Sequence, residues 1–107
     1  MPEAGMIARA GHRIDLERPT SVREPGGGRI ATYAAVAADV TAWVQDAGSE
    51  VVLDYKKRNL VVSKSIFVTQ DLDIHEGDRV LFQGVRYTVN GVVNAAGLNR
   101  MWRIDCS

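Results

Sequence analysis

The stretch from Ile74 to Cys106 constrains the fold most, because it reads as three consecutive antiparallel strands. Arg79 to Phe82 is a short run of bulky apolar residues, and Gln83-Gly84 after it is a turn signal, since glycine takes positive φ without steric cost. Val85, Tyr87 and Val89 then point one way and Arg86, Thr88 and Asn90 the other, the period of a half-buried strand. Gly91 breaks the alternation late, which marks a bulge. Asn94 to Asn99 is read as a loop containing Gly97. Met101 to Cys106 alternates again, with Trp102, Ile104 and Cys106 on one face and Met101, Arg103 and Asp105 on the other. Nothing in this stretch is catalytic, and by itself it specifies a small β domain.

A chain of 107 residues is long enough for one hydrophobic core. The expected division is a loosely held arm over residues 1–11 and a single domain over 12–107. Thirteen Lys and Arg balance thirteen Asp and Glu. A balanced charge argues against a dedicated nucleic-acid binder, although it leaves room for a local basic stripe. A single cysteine cannot form an internal disulfide. No apolar run approaches the ~20 residues that span a bilayer. The first residues lack the basic start and apolar stretch of a secretory signal, so synthesis and use in a cytoplasm are expected.

His12 to Arg18 is the first expected strand, with Ile14 and Leu16 facing in and Arg13, Asp15 and Glu17 facing out. Pro19 is expected to end it, because proline cannot donate to a ladder. Ser21 to Arg29 is then a loop rich in glycine. The next strand is expected to begin at Ile30 to Tyr33 and is clearest from Val36 to Val44, with Val36, Ala38, Val40, Ala42 and Val44 on one face and Ala37, Asp39, Thr41 and Trp43 on the other. Trp43 beside polar neighbours suits a contact surface. Equally, it suits a cover over a gap beside the following helix. That helix is expected over Glu50 to Arg58, with Ser49 as N-cap, Val51, Val52 and Tyr55 on its buried face, and Lys56, Lys57 and Arg58 at its negative end. Leu60 to Thr69 reads as a strand, with Val62, Ile66 and Val68 on one face and Val61 and Phe67 on the other. Gln70 to Asp78 is an acidic connection. The expected core is Ile14, Leu16, Val40, Val44, Ile66, Val68, Val80, Tyr87, Val89, Trp102 and Ile104.

Sites of chemistry are hard to find. Asp71, Asp73, His75, Glu76 and Asp78 alternate like a calcium loop, but Gly77 comes one place late and Phe82 stands where the closing Glu should be. A solvated turn is the better reading. Gly26-Gly27-Gly28-Arg29 lacks the Gly-Lys-Ser/Thr ending of a phosphate loop. His12 and His75 have no partner at a catalytic spacing. Cys106 sits on an apolar face and reads as a buried, inert thiol. Neither a catalytic residue, a metal nor a cofactor is expected.

The order of these features resembles the head–tail joining proteins of tailed bacteriophages, also called head–tail adaptors or head-completion proteins. The similarity runs from the Arg18-Pro19 strand end through Gly26 to Gly28, Val40 to Asp46, Gly48-Ser49-Glu50 and Val62-Ser63-Lys64. It is strongest from Glu76-Gly77-Asp78-Arg79-Val80 through Gly84 and Tyr87 to Asn94, and it finishes at Gly97-Leu98-Asn99-Arg100, Trp102 and Cys106. One departure is Ala95, where many relatives carry proline after the asparagine. The resemblance implies a mainly β fold: a small antiparallel barrel or sandwich of about six strands with one short helix. It implies a non-enzymatic structural protein of the virion neck, made in the host cytoplasm, that forms a ring beneath the portal and closes the DNA-filled head. The implied partners are copies of itself, a portal or adaptor protein above, a tail protein below, and passing DNA in transient non-specific contact; no membrane is implied. The element reaching the channel or docking would be Ser21 to Arg29, with Arg23, Gly26, Gly27, Gly28 and Arg29, or Gln45 to Asn59, with Lys56, Lys57 and Arg58. Two outer faces are candidate subunit interfaces: Asp39, Thr41 and Trp43 on one, and Phe67, Arg86, Arg103 and Asp105 on the other. The alternative is a small barrel that binds nucleic acid by stacking bases on Tyr33, Trp43, Phe67 and Tyr87.

Overall fold

The computed structural model describes residues 11–23, 25–94 and 101–107, without the side chains of residues 22, 23 and 29–31. The expected N-terminal arm up to residue 10, most of the loop around Gly97, and Ala95 lie outside the described residues. Within them run β1 (His12–Arg23), β2 (Arg29–Asp46), α1 (Ser49–Lys56), β3 (Lys64–Val68), β4 (Arg79–Phe82), β5 (Val85–Asn94) and β6 (Trp102–Cys106). Neighbouring strands are all antiparallel, and the order β1-β2-β3-β6-β5-β4 closes into a barrel. Of the two architectures expected, barrel and sandwich, the chain forms the barrel.

Alternation explains the interior. Ile14, Leu16, Val40, Ile66, Val68, Val80, Val89 and Ile104 fill the barrel, with Val44, Tyr87 and Trp102 packed against them. Every expected core residue lies in or against this cluster, which also holds Ala42 and Cys106, while Phe67 and Met101 form a second one. The Gln83-Gly84 turn joins Phe82 to Val85 with φ of +50° and +79°, the paired positive φ of a tight hairpin turn. The break at Gly91 is a bulge: Val89 pairs with Cys106, but Gly91 pairs with Asp105.

The β2 facing needs one correction. Ile14 pairs with Val40, Leu16 with Ala37 and Glu17 with Ala35, so β2 carries two extra residues opposite β1. One bulge centres on Asp39, whose φ is +53° and whose N–H is taken by Asp15 Oδ1 at 2.8 Å. It shifts the inward position from Ala38, which is exposed, to Ala37, which packs on the core.

Boundaries differ in three places. Pro19 does not end β1, which continues to Arg23 with Pro19 opposite Tyr33. Among the described residues this segment pairs only with β2, an edge position where a missing N–H is tolerated. The expected loop from Ser21 to Arg29 accordingly shrinks to the tip of a long hairpin. The N-cap is Gly48 rather than Ser49: Gly48 is extended at φ −66°, ψ 155°, and its carbonyl accepts Val52 N–H at 3.0 Å. β3 starts at Lys64 rather than Leu60, and the preceding Val61 is 74% exposed.

Candidate partner-binding surfaces

A buried polar network fixes the helix on the barrel. Tyr55, the buried residue of α1, lies over Gly91, where an added Cβ would come within 2.2 Å of the phenol oxygen. The phenol donates to Asp105 Oδ2 at 2.7 Å, Ser65 Oγ donates to Oδ1 at 3.1 Å, and Arg103 Nε donates to Oδ1 at 2.9 Å. Asp105 is fully buried. Burial, followed by the hydrogen bond to Asp105 and its charge, pushes the Tyr55 phenol up to about 12. Every buried side-chain nitrogen and oxygen among the described residues has a partner, so the network is fully satisfied and holds the helix in place. Sequence reasoning saw Tyr55 on the buried helix face and Gly91 as a break. It missed that the two are one contact.

The same network removes Asp105 from the candidate interface, because the carboxylate faces outward from the barrel but lies beneath α1. Phe67 is only 3% exposed and packs with Met101 and Trp43. The two expected outer faces also meet. Trp43 pairs with Phe67, and Phe67 with Arg103, so these three form one row across β2, β3 and β6. Trp43 is half-buried, and its indole N–H donates to Gln45 Oε1 at 3.0 Å. Beside this row a groove of about 470 Å³ opens between the start of α1 and the sheet, lined by Gln45, Ser49, Glu50, Phe67 and Arg103.

Arg86 lies on another arc of the barrel. Its guanidinium stacks 4.3 Å from the centre of the Tyr33 ring and pairs with Glu17 at 3.4 Å. Together with Asp15, Ala37 and Leu81 these residues line a second groove, of about 310 Å³, at the base of the hairpin. Asp39 is exposed on its bulge, 4.0 Å from Arg13, and Arg13 also donates to Thr41 Oγ at 2.7 Å.

The hairpin projects beyond the barrel. β4 accompanies β1 only from Asp15 to Glu17, while the β1–β2 ladder runs on to Arg23 opposite Arg29. Six residues at roughly 3.3 Å each give an arm about 20 Å long. Gly26, Gly27 and Gly28 form its exposed tip. The side chains of Arg23 and Arg29 lie outside the described residues.

Its base is clamped. Arg18 donates to Asp78 through Nε at 2.9 Å and Nη2 at 3.0 Å, and His75 N–H donates to the same carboxylate at 2.9 Å. Asp78 is buried, which alone would raise its affinity for a proton. The hydrogen bond from Arg18, that from His75 N–H and the Arg18 charge outweigh burial and hold it below the usual carboxylate range. The acidic connection is therefore not merely a solvated turn: Asp71, Asp73, His75 and Glu76 are exposed, but Asp78 is a buried anchor.

The remaining candidates fall into place. Lys56, Lys57 and Arg58 are exposed, with Arg58 paired to Asp54 at 3.1 Å and lying over the Tyr55 ring. His12 accepts Val44 N–H at 3.1 Å, and His75 sits 2.8 Å from Asp73. Cys106 is buried, and burial, then the Asp105 charge, pushes its thiol up to about 12. Among the described residues no group of three His, Cys, Asp or Glu could hold a metal ion. No helix among them is long and apolar enough to cross a membrane. Of the four aromatics suited to base stacking, Tyr87 packs on the core, Phe67 is buried, Trp43 is half-covered and Tyr33 is capped by Arg86.

Comparison with known proteins bears on the family and the fold. Residues 6–107 match the model of a family described as phage head completion protein. The solution structure of protein SF1141 from Shigella flexneri 2a is similar at a TM-score of 0.68, with 16% identity over 89% of this chain and 88% of that one. A chain of the virion of a native gene transfer agent particle is similar at a TM-score of 0.53, with 15% identity over 88% of this chain and 90% of that one. No curated protein matches the sequence.

Proposed function

Because this chain belongs to the phage head completion protein family, we propose that it works in the neck of the virion, as a ring beneath the portal that closes the filled head and presents a surface to the tail. The observation that carries the ring is the pair of grooves on different arcs of one barrel. A ring needs heterologous contacts, in which one face of each subunit meets a different face of its neighbour. The Trp43–Phe67–Arg103 row and the Tyr33–Glu17–Arg86 patch are two such faces, and each carries both apolar surface and charge. Trp43 is the apolar anchor of the first. The charges set register and orientation more than affinity.

The arm and the basic end of α1 are the two elements free to reach a channel or a neighbouring protein. The arm is the longer and is built of exposed backbone, which suits docking. Lys56 and Lys57 suit brief contact with DNA phosphates. Synthesis is in the host cytoplasm, and the partners are further copies of the chain, the portal complex and a tail protein.

Disrupting the gene tests this reading. Filled heads that lack tails or leak DNA, restored by supplying the protein in trans, are expected. Infectious particles in normal yield without it would overturn the reading.

A further inference from the structure

Among the described residues, the arm leaves a strand edge without a neighbouring strand. β4 pairs with β1 only up to Glu17, and β3 pairs with β2 only from Trp43. Between these limits the ladder seen among the described residues is that of β1 with β2. Pro19 faces Tyr33 across the hairpin and has no N–H, so this is not a pair that exchanges two hydrogen bonds. Alternation along the ladder then turns the N–H and C=O groups of Ala31, Tyr33 and Ala35 away from β1, toward the open side.

The two edges of the arm differ. Along β2, Ile30 to Ala38 contains neither a charge nor a proline. Along β1 the edge carries Pro19, whose missing N–H takes one hydrogen bond from a pairing strand while its carbonyl can still accept. Exposed edges are normally blunted by charge, proline or bulges, and an isolated two-stranded ribbon is marginally stable in water. The β2 edge is unblunted over most of the arm, which is the condition for receiving another strand.

We propose that the β2 edge of each arm takes up the β1 edge of the next copy's arm, so that the arms of the assembled ring join into one antiparallel collar. This rests on the ring reading above. The occupant follows from polarity. In a closed ring all arms point the same way, β1 running from barrel to tip and β2 from tip to barrel. The β2 of one copy therefore meets the β1 of the next in antiparallel sense, the sense of every ladder in the subunit. The area agrees with assembly only in place. Pairing of one short edge buries on the order of a few hundred Å², well below the ~1,200 Å² of a stable complex, so free subunits stay apart until the portal complex holds them side by side.

Hydrogen exchange on the free protein and on purified particles tests the collar. A peptide spanning residues 30–38 is expected to gain protection at about three amides on assembly, those of Ala31, Tyr33 and Ala35, while Thr32 and Ala34 are protected in both states. Ala31→Pro removes an outward N–H without touching the arm's own ladder or the Tyr33–Glu17–Arg86 patch. It should leave the circular dichroism of the free protein unchanged and lower the occupancy of the chain in particles. A ring in the particle with no added protection of this peptide overturns the collar and leaves the ring standing. Absence of a ring overturns both. A free dimer already protected at these three amides overturns the collar in favour of β2-to-β2 pairing.

Discussion

The tightest point in the molecule is the contact of Tyr55 with Gly91. Gly91→Ala puts a methyl group where the phenol oxygen lies, and overpacking of this kind costs about 1–3 kcal/mol. The reduced midpoint in a denaturant titration should be accompanied by loosening of α1. Tyr55→Phe keeps the ring but takes a donor from the buried Asp105 carboxylate, at a cost of about 1.5–3 kcal/mol. Phenolate absorbance gives a second reading of the site. Because the folded phenol is raised to about 12, its stabilising share is complete below the ordinary tyrosine value near 10 and is lost as pH rises from there toward 12. Tyr55 should titrate well above the ordinary tyrosine value. A Tyr55 that ionises near 10 would mean that the phenol is not held against Asp105. Asp78 has the opposite sign. Its folded value is depressed, so its share is present above the ordinary carboxylate value and lost as pH falls through the lower folded one. Acid should therefore release the base of the arm, and Asp78→Asn should weaken the acid dependence of stability.

At the scale of elements, the barrel and the arm respond differently to change. Replacing residues 20–32 by a short turn removes only ladder formed between β1 and β2 beyond the barrel, so the β-type circular dichroism should persist with lower amplitude. Collapse to an unfolded spectrum would show that the arm is needed for the barrel. Trp43→Ala exposes Phe67 and Met101 in part, at a cost of about 1–2 kcal/mol, half of what a fully buried side chain of this class would give. The variant should fold and fail to join heads to tails. Much of this architecture was legible because alternation is a strong signal where one face is buried: Ile14, Leu16, Val89 and Ile104 all point as their spacing says. Of the arm, only the strand start at Ile30 to Tyr33 was legible. Thr20, Ser21 and Thr32 to Ala35 are exposed, so no buried face marks the strands, and proline and glycine read as breaks when the register that overrides them comes from the partner strand. Asp105 escaped notice for the converse reason. Its outward alternation is real, but the helix that covers it arrives from fifty residues away.

For the whole molecule, balanced charge sets the limits of function. The free protein should bind DNA weakly and without sequence preference, and a submicromolar Kd at physiological salt would favour a nucleic-acid-binding barrel instead. It should also be a monomer or weak oligomer by sedimentation, since a stable ring formed away from the head would contradict closure on the portal. The central claim is a place in the particle, and a reconstruction of the neck from purified virions measures it most directly. The account predicts a closed ring of six-stranded barrels between portal and tail, with the β1–β2 arms and the Trp43 row at contacts between subunits or with neighbouring proteins. A neck whose density is fully explained by other chains, with this barrel absent or lodged elsewhere in the particle, would contradict it.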